Sequence, residues 1–278
     1  MSTSLPPDAA DLSALTELIG DSDLKSCCAA LYEHPAMRWL LGDELHPGGE
    51  ATTRRALELI GAGPGERLLD VASGKGDSSL LAARELGCVV TGIDYRPTAV
   101  IDAGRAADAA GVGDRVRFLA GDAEALPFRD ATFNAVLCEC SFCMFPDKST
   151  ALIEMRRVLR PGGRIAIADV IADHDRLPES LRGPLATAAC VGSALSRDDL
   201  VQELESGGFR LLAAQSCSEE AAHMAERVYD RLRGARILGI GPLIGSPLAI
   251  EQAIEMATAA RTAIAQATLD YAIFAAAR

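Results

Sequence analysis

Residues 67–76, Arg-Leu-Leu-Asp-Val-Ala-Ser-Gly-Lys-Gly, restrict what this chain can fold into more than any other stretch. Leu68, Leu69 and Val71 form a short apolar run, Asp70 falls at its carboxyl end, and a glycine-rich turn opens a helical pattern near Asp77. Such a run suits a strand buried on both faces of a parallel sheet. Gly74 and Gly76 let the backbone turn sharply and approach a ligand where a Cβ would clash. In open α/β sheets ligands bind beyond the carboxyl ends of strands, where strand order reverses. A dinucleotide fingerprint needs Gly-x-Gly-x-x-Gly/Ala, and its third position here is Ser79. A phosphate loop needs Gly-Lys-Ser/Thr, and Lys75 is followed by Gly76.

From Glu66 onward the pattern alternates. Apolar runs at 67–72, 88–94, 116–120, 133–139, 164–170 and 209–215 read as strands, with helical patterns at 77–86, 97–110, 147–159 and 196–206. Arg160-Pro-Gly-Gly reads as a tight turn before the fifth strand. Strands separated by helices of this length predict a mostly parallel sheet with helices on both faces. Residues 219–236 and 249–265 read as amphipathic helices, and 269–276 as a seventh strand. Ahead of the first strand, residues 11–41 and 50–60 are helical in pattern and His46-Pro-Gly-Gly breaks them. The expected organisation is a helical lid over 1–62 and a ligand-binding α/β domain over 63–278, with a helical insert at about 219–265.

Composition narrows the partners. A net charge of −12 disfavours nucleic acid, whose binding rests on Lys and Arg neutralising phosphates. No apolar run is long enough for a membrane span, and residues 1–10 lack a basic region followed by an apolar one. A cytoplasmic protein is expected. Eight cysteines in a reducing compartment are thiols rather than disulfides. Cys140-x-x-Cys143 has no second pair at zinc spacing.

The acids at the other strand ends carry a resemblance. Asp94 closes the second strand 18 residues after Gly76, where an acid can accept from ribose hydroxyls. Gly121-Asp122-Ala123-Glu124 follows the third strand, and Leu126-Pro127-Phe128 and Val158-Leu159-Arg160-Pro161-Gly162-Gly163 come later. Together with the opening stretch, this series resembles the class I S-adenosylmethionine-dependent methyltransferases, with a first motif like that of quinone-biosynthesis enzymes. The resemblance implies a doubly wound, seven-stranded Rossmann-like sheet and S-adenosyl-L-methionine as cofactor. It also implies contacts to that cofactor from Asp70, Ala72, Ser73, Gly74, Gly76, Asp94, Tyr95, Asp122, Ala123 and Glu139. Asp122 would face the adenine amino group, and Asp70 the methionine end.

The cysteines add a narrower resemblance. Ser141-Phe-Cys143-Met-Phe-Pro-Asp147-Lys148 resembles the arsenite methyltransferase stretch Ser-Asn-Cys-Val-x-Asn-Leu-x-Pro-Asp-Lys, three residues shorter. Cys190-Val-Gly-Ser-Ala resembles that family's Cys-Ile/Val-Gly-Gly-Ala, and Cys27-Cys28 its upstream pair. Cys143, Cys190 and one of Cys27 and Cys28 are then the expected ligands of arsenite as substrate, because trivalent arsenic is soft and prefers thiolates. The alternative is a C- or O-methyltransferase for a quinone-like or natural-product acceptor, with the thiols serving only as packing. His46 is expected in a turn near the site, and Cys88 and Cys138 in the core. Oligomeric state is not legible.

Overall fold

The computed structural model describes residues 35–42, 45–182, 186–187, 189–239 and 247–278. Cys27, Cys28 and most of the expected lid lie outside the described residues. Among those described, seven strands form one sheet: β1 (Arg67–Val71), β2 (Val89–Asp94), β3 (Val116–Ala120), β4 (Phe133–Glu139), β5 (Leu159–Ala172), β6 (Arg210–Ser216) and β7 (Leu269–Ala277). Their order is β3-β2-β1-β4-β5-β7-β6. Strands β1 to β5 run parallel, and β7 is antiparallel to both β5 and β6. The order reverses between β1 and β4, so a crevice opens at their carboxyl ends.

The period-two alternation of the central strands divides the core in two. Val136 and Cys138 of β4, Ile165 and Ile167 of β5 and Phe274 of β7 face one layer, formed with α5 (Lys148–Val158) and α6 (Arg197–Ser206). On the other face, Leu68, Ala135, Ala166, Ala168 and Ala275 meet α2 (Gly49–Leu59) and α3 (Asp77–Leu86). The alanines leave room for α2 to lie close against β4, β5 and β7. Fully buried large side chains such as Phe133, Leu137 and Leu152 each contribute about 1.5–3 kcal/mol by leaving water. α4 (Pro97–Ala109) follows β2 with proline in its first turn, where the missing N–H costs nothing.

Two helices expected from sequence begin at side-chain caps. Asp147 accepts the Thr150 N–H ahead of α5, and Ser196 accepts the Asp199 N–H ahead of α6. One turn differs from expectation: Arg160-Pro-Gly-Gly does not separate helix from strand. β5 already starts at Leu159, which pairs with Phe133, and the register shifts before Ala135 pairs with Arg164. The four residues are an irregularity within the strand, where Gly162 has φ of 76°.

The helical insert connects β6 to β7 through α7 (Ser218–Ile237) and α8 (Pro247–Ala265). It also holds the chain ahead of the sheet. Arg231 donates to the carbonyl oxygens of Trp39 and Leu40 at the end of α1 (Pro35–Leu41). Trp39 packs with Ala235, Ile250 and Ile254 of the insert.

Candidate active site

A cavity of about 720 Å3 opens at the crevice. Its floor is the row of strand tips: Asp122 and Ala123 beyond β3, Asp94 and Tyr95 at β2, Asp70, Ala72, Ser73 and Gly74 at β1, and Glu139 at β4. All nine were expected from sequence to contact a cofactor. Gly76, expected with them, does not line the cavity. It caps α3 at φ of 85°, and a Cβ there would collide with the Phe118 ring. Its lack of a Cβ leaves room for the Phe118 ring under the turn.

The acids divide their work. Asp94, 6% exposed, accepts the Gly74 N–H on Oδ2 at 2.8 Å and the Arg96 N–H on Oδ1 at 2.9 Å. Oδ1 also lies 3.5 Å from the Arg96 guanidinium, while Oδ2 keeps a second lone pair for a ligand hydroxyl. Asp122 accepts the Glu124 N–H at 2.9 Å, closing the turn that carries Ala123. Asp70 is fully enclosed and accepts the Ser79 hydroxyl at 2.6 Å. Burial pushes its carboxyl up to about 7; the Ser79 bond opposes this, and nearby Glu139, Asp94 and Asp77 reinforce it.

Glu139 is joined from two directions. Ser78 of α3 donates to its Oε2 at 2.6 Å, and Thr53 of α2 donates to the same oxygen at 3.1 Å. Oε1 is buried and has no protein partner. His46, in the turn where sequence places it, lines the cavity. Its Nε2 lies 3.5 Å from the Thr53 hydroxyl, and its ring stacks on Tyr271 with centroids 6.2 Å apart.

Beside this cavity three thiols converge. Cys190 is the hydrogen-bond partner of both Cys140 and Cys143, and those bonds together with burial hold both thiols well above the usual cysteine range. Cys143 and Cys190 are thus brought together, as sequence suggested, but Cys140 is the member of the trio that lines the cavity. Cys140 was not named as a ligand from sequence, though its spacing also carries the resemblance. In the arsenite methyltransferase stretch the cysteine precedes proline by six positions, and six positions before Pro146 is Cys140. Counted this way the two stretches match without a gap.

The backbone at these positions is unusual as well. Cys140 and Cys190 have φ of 50° and 67°, and Ala72 at the tip of β1 has φ of 58°. Left-handed non-glycine residues are uncommon, cost free energy, and cluster at functional sites. Behind the thiols, Asp169 accepts the Cys143 N–H at 2.7 Å and the Val170 N–H at 2.7 Å. Burial, then the neighbouring Cys190, raises the Asp169 carboxyl to about 7. Among the described residues no group of three or more His, Cys, Asp or Glu has the geometry to hold a metal ion. Cys190 bonds to both other thiols, and the Cys143 thiol also bonds to the Asp169 carboxyl. Cys88 and Cys138 are in the core, as expected. Burial raises the Cys88 thiol to about 11 and raises that of Cys138 as well.

A doubly wound sheet with a row of acids across the tips of β1 to β4, beneath a glycine turn, defines a methyltransferase that uses S-adenosylmethionine. The chain belongs to the class I S-adenosylmethionine-dependent methyltransferases. The methyltransferase domain family matches residues 69–167. The chain is 32% identical to the 27-O-demethylrifamycin SV methyltransferase of Amycolatopsis mediterranei over 218 residues, covering 71% of this chain and 78% of that one. It is 33% identical to an arsenite methyltransferase of Halobacterium salinarum over 170 residues, 60% of this chain, and spans 43% of that protein's length. A solved geranyl diphosphate methyltransferase in complex with its S-adenosylmethionine has the same fold, with a TM-score of 0.67, 20% identity and coverage of 95% and 94%. Among the described residues no helix is long and apolar enough to cross a membrane.

Proposed function

We propose that this enzyme methylates trivalent arsenic held by Cys140, Cys143 and Cys190, with arsenite as substrate. The observation that carries the reading is the meeting of three thiols at the edge of the cavity, one of them lining it. Arsenite is an uncharged trihydroxide at neutral pH. Three S–H groups condense with it to give three As–S bonds and three water molecules. Charge is conserved, so thiols held in their protonated form by burial suit this substrate better than they suit a divalent ion, which needs standing thiolates. The product is neutral and tolerates an apolar pocket.

The residues across the strand tips fit the cofactor. The orphaned Oε1 of Glu139 and the orphaned hydroxyl of Ser73 are buried polar atoms awaiting partners. A Cβ at Gly74 would meet no protein atom within 4 Å, so that turn is open to a ligand. Asp122 and the Ala123 amide would take the adenine, Asp94 the ribose hydroxyls, and the Ser73–Gly74 turn, with Asp70 beneath it, the methionine end. Tyr95, 47% exposed at the rim, would cover the nucleoside. S-adenosylmethionine supplies an electrophilic methyl group on a sulfonium. The protein's task is alignment, which is worth ~7–11 kcal/mol of barrier. Cys140 anchors arsenic at the cavity, Cys190 joins it to Cys143, and the carboxylates of Asp70 and Glu139 favour a cationic donor over its neutral product. Cys27 and Cys28, one of which the sequence offered as a ligand beside Cys143 and Cys190, lie outside the described residues.

A second reading is an organic acceptor. It is supported by the rifamycin enzyme, which aligns over more of its own length than the arsenic enzyme does, and by His46 within reach of Thr53 at the cavity wall. One assay separates the two: incubate the enzyme with S-adenosylmethionine, arsenite and a small thiol, and quantify methylated arsenic by chromatography with elemental detection. Methylarsenic that disappears in Cys140→Gly and Cys190→Ser supports the first. Binding of the donor without any arsenic product refutes it and leaves the organic acceptor.

A further inference from the structure

Glu139 is a carboxylate with one half fixed and the other half vacant. Its Oε2 accepts from Ser78, in the first turn of α3, and from Thr53, on the helix that precedes the sheet in sequence. Its Oε1 faces no protein donor although it is shut away from solvent. A carboxylate oxygen that meets no protein donor and lines a cavity is placed to accept from a bound ligand. Glu139 also lines the cavity at the tip of β4, on the far side of β1 from Asp94 and Asp122. A donor molecule lying adenine-to-methionine across β3, β2 and β1 brings its amino-acid end to β4.

We infer that Glu139 Oε1 accepts the methionyl ammonium of the donor and that Thr53, through its bond to Oε2, is a positioning residue that couples the segment ahead of β1 to donor binding. The inference rests on the donor orientation proposed above and not on the identity of the acceptor. An ammonium is the group on that ligand able to give a charge-assisted bond to a carboxylate. Two hydroxyl donors from separate helices fix the carboxylate so that its other oxygen is aimed before the ligand arrives. Thr53 is also tied to its own layer: its hydroxyl is 3.4 Å from the Gly49 carbonyl and 3.5 Å from His46 Nε2. The position of α2 therefore sets the donors on Glu139, and Thr53 links that helix to the carboxylate.

The test uses the full-length protein and no arsenic. Calorimetry measures S-adenosylhomocysteine, which keeps the ammonium, and 5′-methylthioadenosine, which has the same nucleoside and thioether but no amino acid. Glu139→Gln keeps the shape and the acceptor for Ser78. It is expected to weaken S-adenosylhomocysteine roughly tenfold or more and to leave methylthioadenosine unchanged. Thr53→Val is expected to weaken the same ligand about threefold through the same carboxylate, and the double variant to be no worse than Glu139→Gln alone. Equal losses for both ligands would mean a collapsed cavity, and no loss for either would mean that Oε1 faces elsewhere; both overturn the inference. Failure of the wild-type protein to bind S-adenosylhomocysteine would instead refute the donor orientation itself.

Discussion

The Gly74 N–H donates to Asp94 Oδ2 at 2.8 Å, tying the glycine turn after β1 to the last residue of β2. The acid that sequence assigns to a ribose is thus also a structural clasp. Its other oxygen takes the Arg96 N–H, and Ser73 is held to Ile93 by its own N–H at 3.0 Å. Asp94→Ala leaves the Gly74 and Arg96 amides without these acceptors. It is expected to cost about 1–3 kcal/mol of stability as well as donor affinity, whereas Asp94→Asn, with one acceptor oxygen, loses less of both. Thermal melts with and without S-adenosylhomocysteine check this. Equal melting temperatures for the wild type and the alanine variant would refute the clasp.

Asp70 makes stability depend on pH. Its carboxyl titrates near 3.8 in the unfolded chain and near 7 when buried. A raised acid is protonated in the folded state while already ionised in the unfolded one, so its effect on stability is absent below about 4. Stability then declines as pH rises from 4 to 7 and levels off above that. Asp169 has the same sign over the same window. Asp70→Asn keeps a partner for Ser79 and is expected to remove about half of the decline in melting temperature between pH 5 and 8. Because ionised Asp70 favours a sulfonium, the preference for S-adenosylmethionine over S-adenosylhomocysteine is expected to rise through pH 7 in the wild type and to stay flat in the variant. A pH-independent preference in the wild type would refute this assignment.

The left-handed backbone at Cys140 and Cys190 allows the thiols to be removed without breaking the fold. For an L-residue that conformation costs about 1–2 kcal/mol. Glycine removes the cost but loses about 0.5–1 kcal/mol in chain entropy. Cys140→Gly is therefore expected to melt within roughly 4 °C of the wild type and to bind S-adenosylhomocysteine normally. Arsenite titrated against the variant, with free thiols counted, is expected to protect fewer thiols than in the wild type. Undiminished protection would remove Cys140 from the substrate site.

How much of this was legible follows from where each signal sits in the chain. β1, β2 and β4 are buried on nearly their whole length, so their apolar runs stand out, and the Asp147 and Ser196 caps mark helix starts within a few residues. Strand direction leaves no such trace: nothing in the pattern of 269–276 distinguishes the antiparallel β7 from a parallel strand. The Asp94–Gly74 and Thr53–Glu139 bonds join residues 20 and 86 positions apart, a separation over which spacing carries no information. Cys140, which lines the cavity, was not named as a ligand from sequence. Counting back from Pro146 points to Cys140, whereas the serine and cysteine at 141 and 143 point to Cys143, and spacing alone does not choose between them. Gly76 was read as a ligand contact because close approach and close packing both call for glycine. The Phe118 ring accounts for the packing half of that demand.

One more support for the site comes from Arg157 of α5, which no sequence motif announces. Its guanidinium donates to Glu154 at 2.6 and 2.7 Å, to the carbonyls of Phe128 at 2.7 Å and Leu126 at 2.9 Å, and to Asp130 at 2.9 Å. Glu154 in turn accepts the Leu126 N–H at 2.9 Å. Hydrogen bonding to these two acids holds the arginine well above its usual range and Glu154 below the usual carboxylate range. The fork spans the segment immediately after Asp122 and Ala123, so it sets the position of the proposed adenine contact from outside the cavity. A lysine presents a point charge in place of the planar fork. Arg157→Lys is expected to leave the sheet intact while segment 123–130 loses order. The readout is faster amide hydrogen exchange confined to that segment, with donor affinity reduced about three- to tenfold. Unchanged exchange in the segment, or acceleration spread evenly over the central strands, would show that the arginine stabilises the fold at large and does not position the cofactor site.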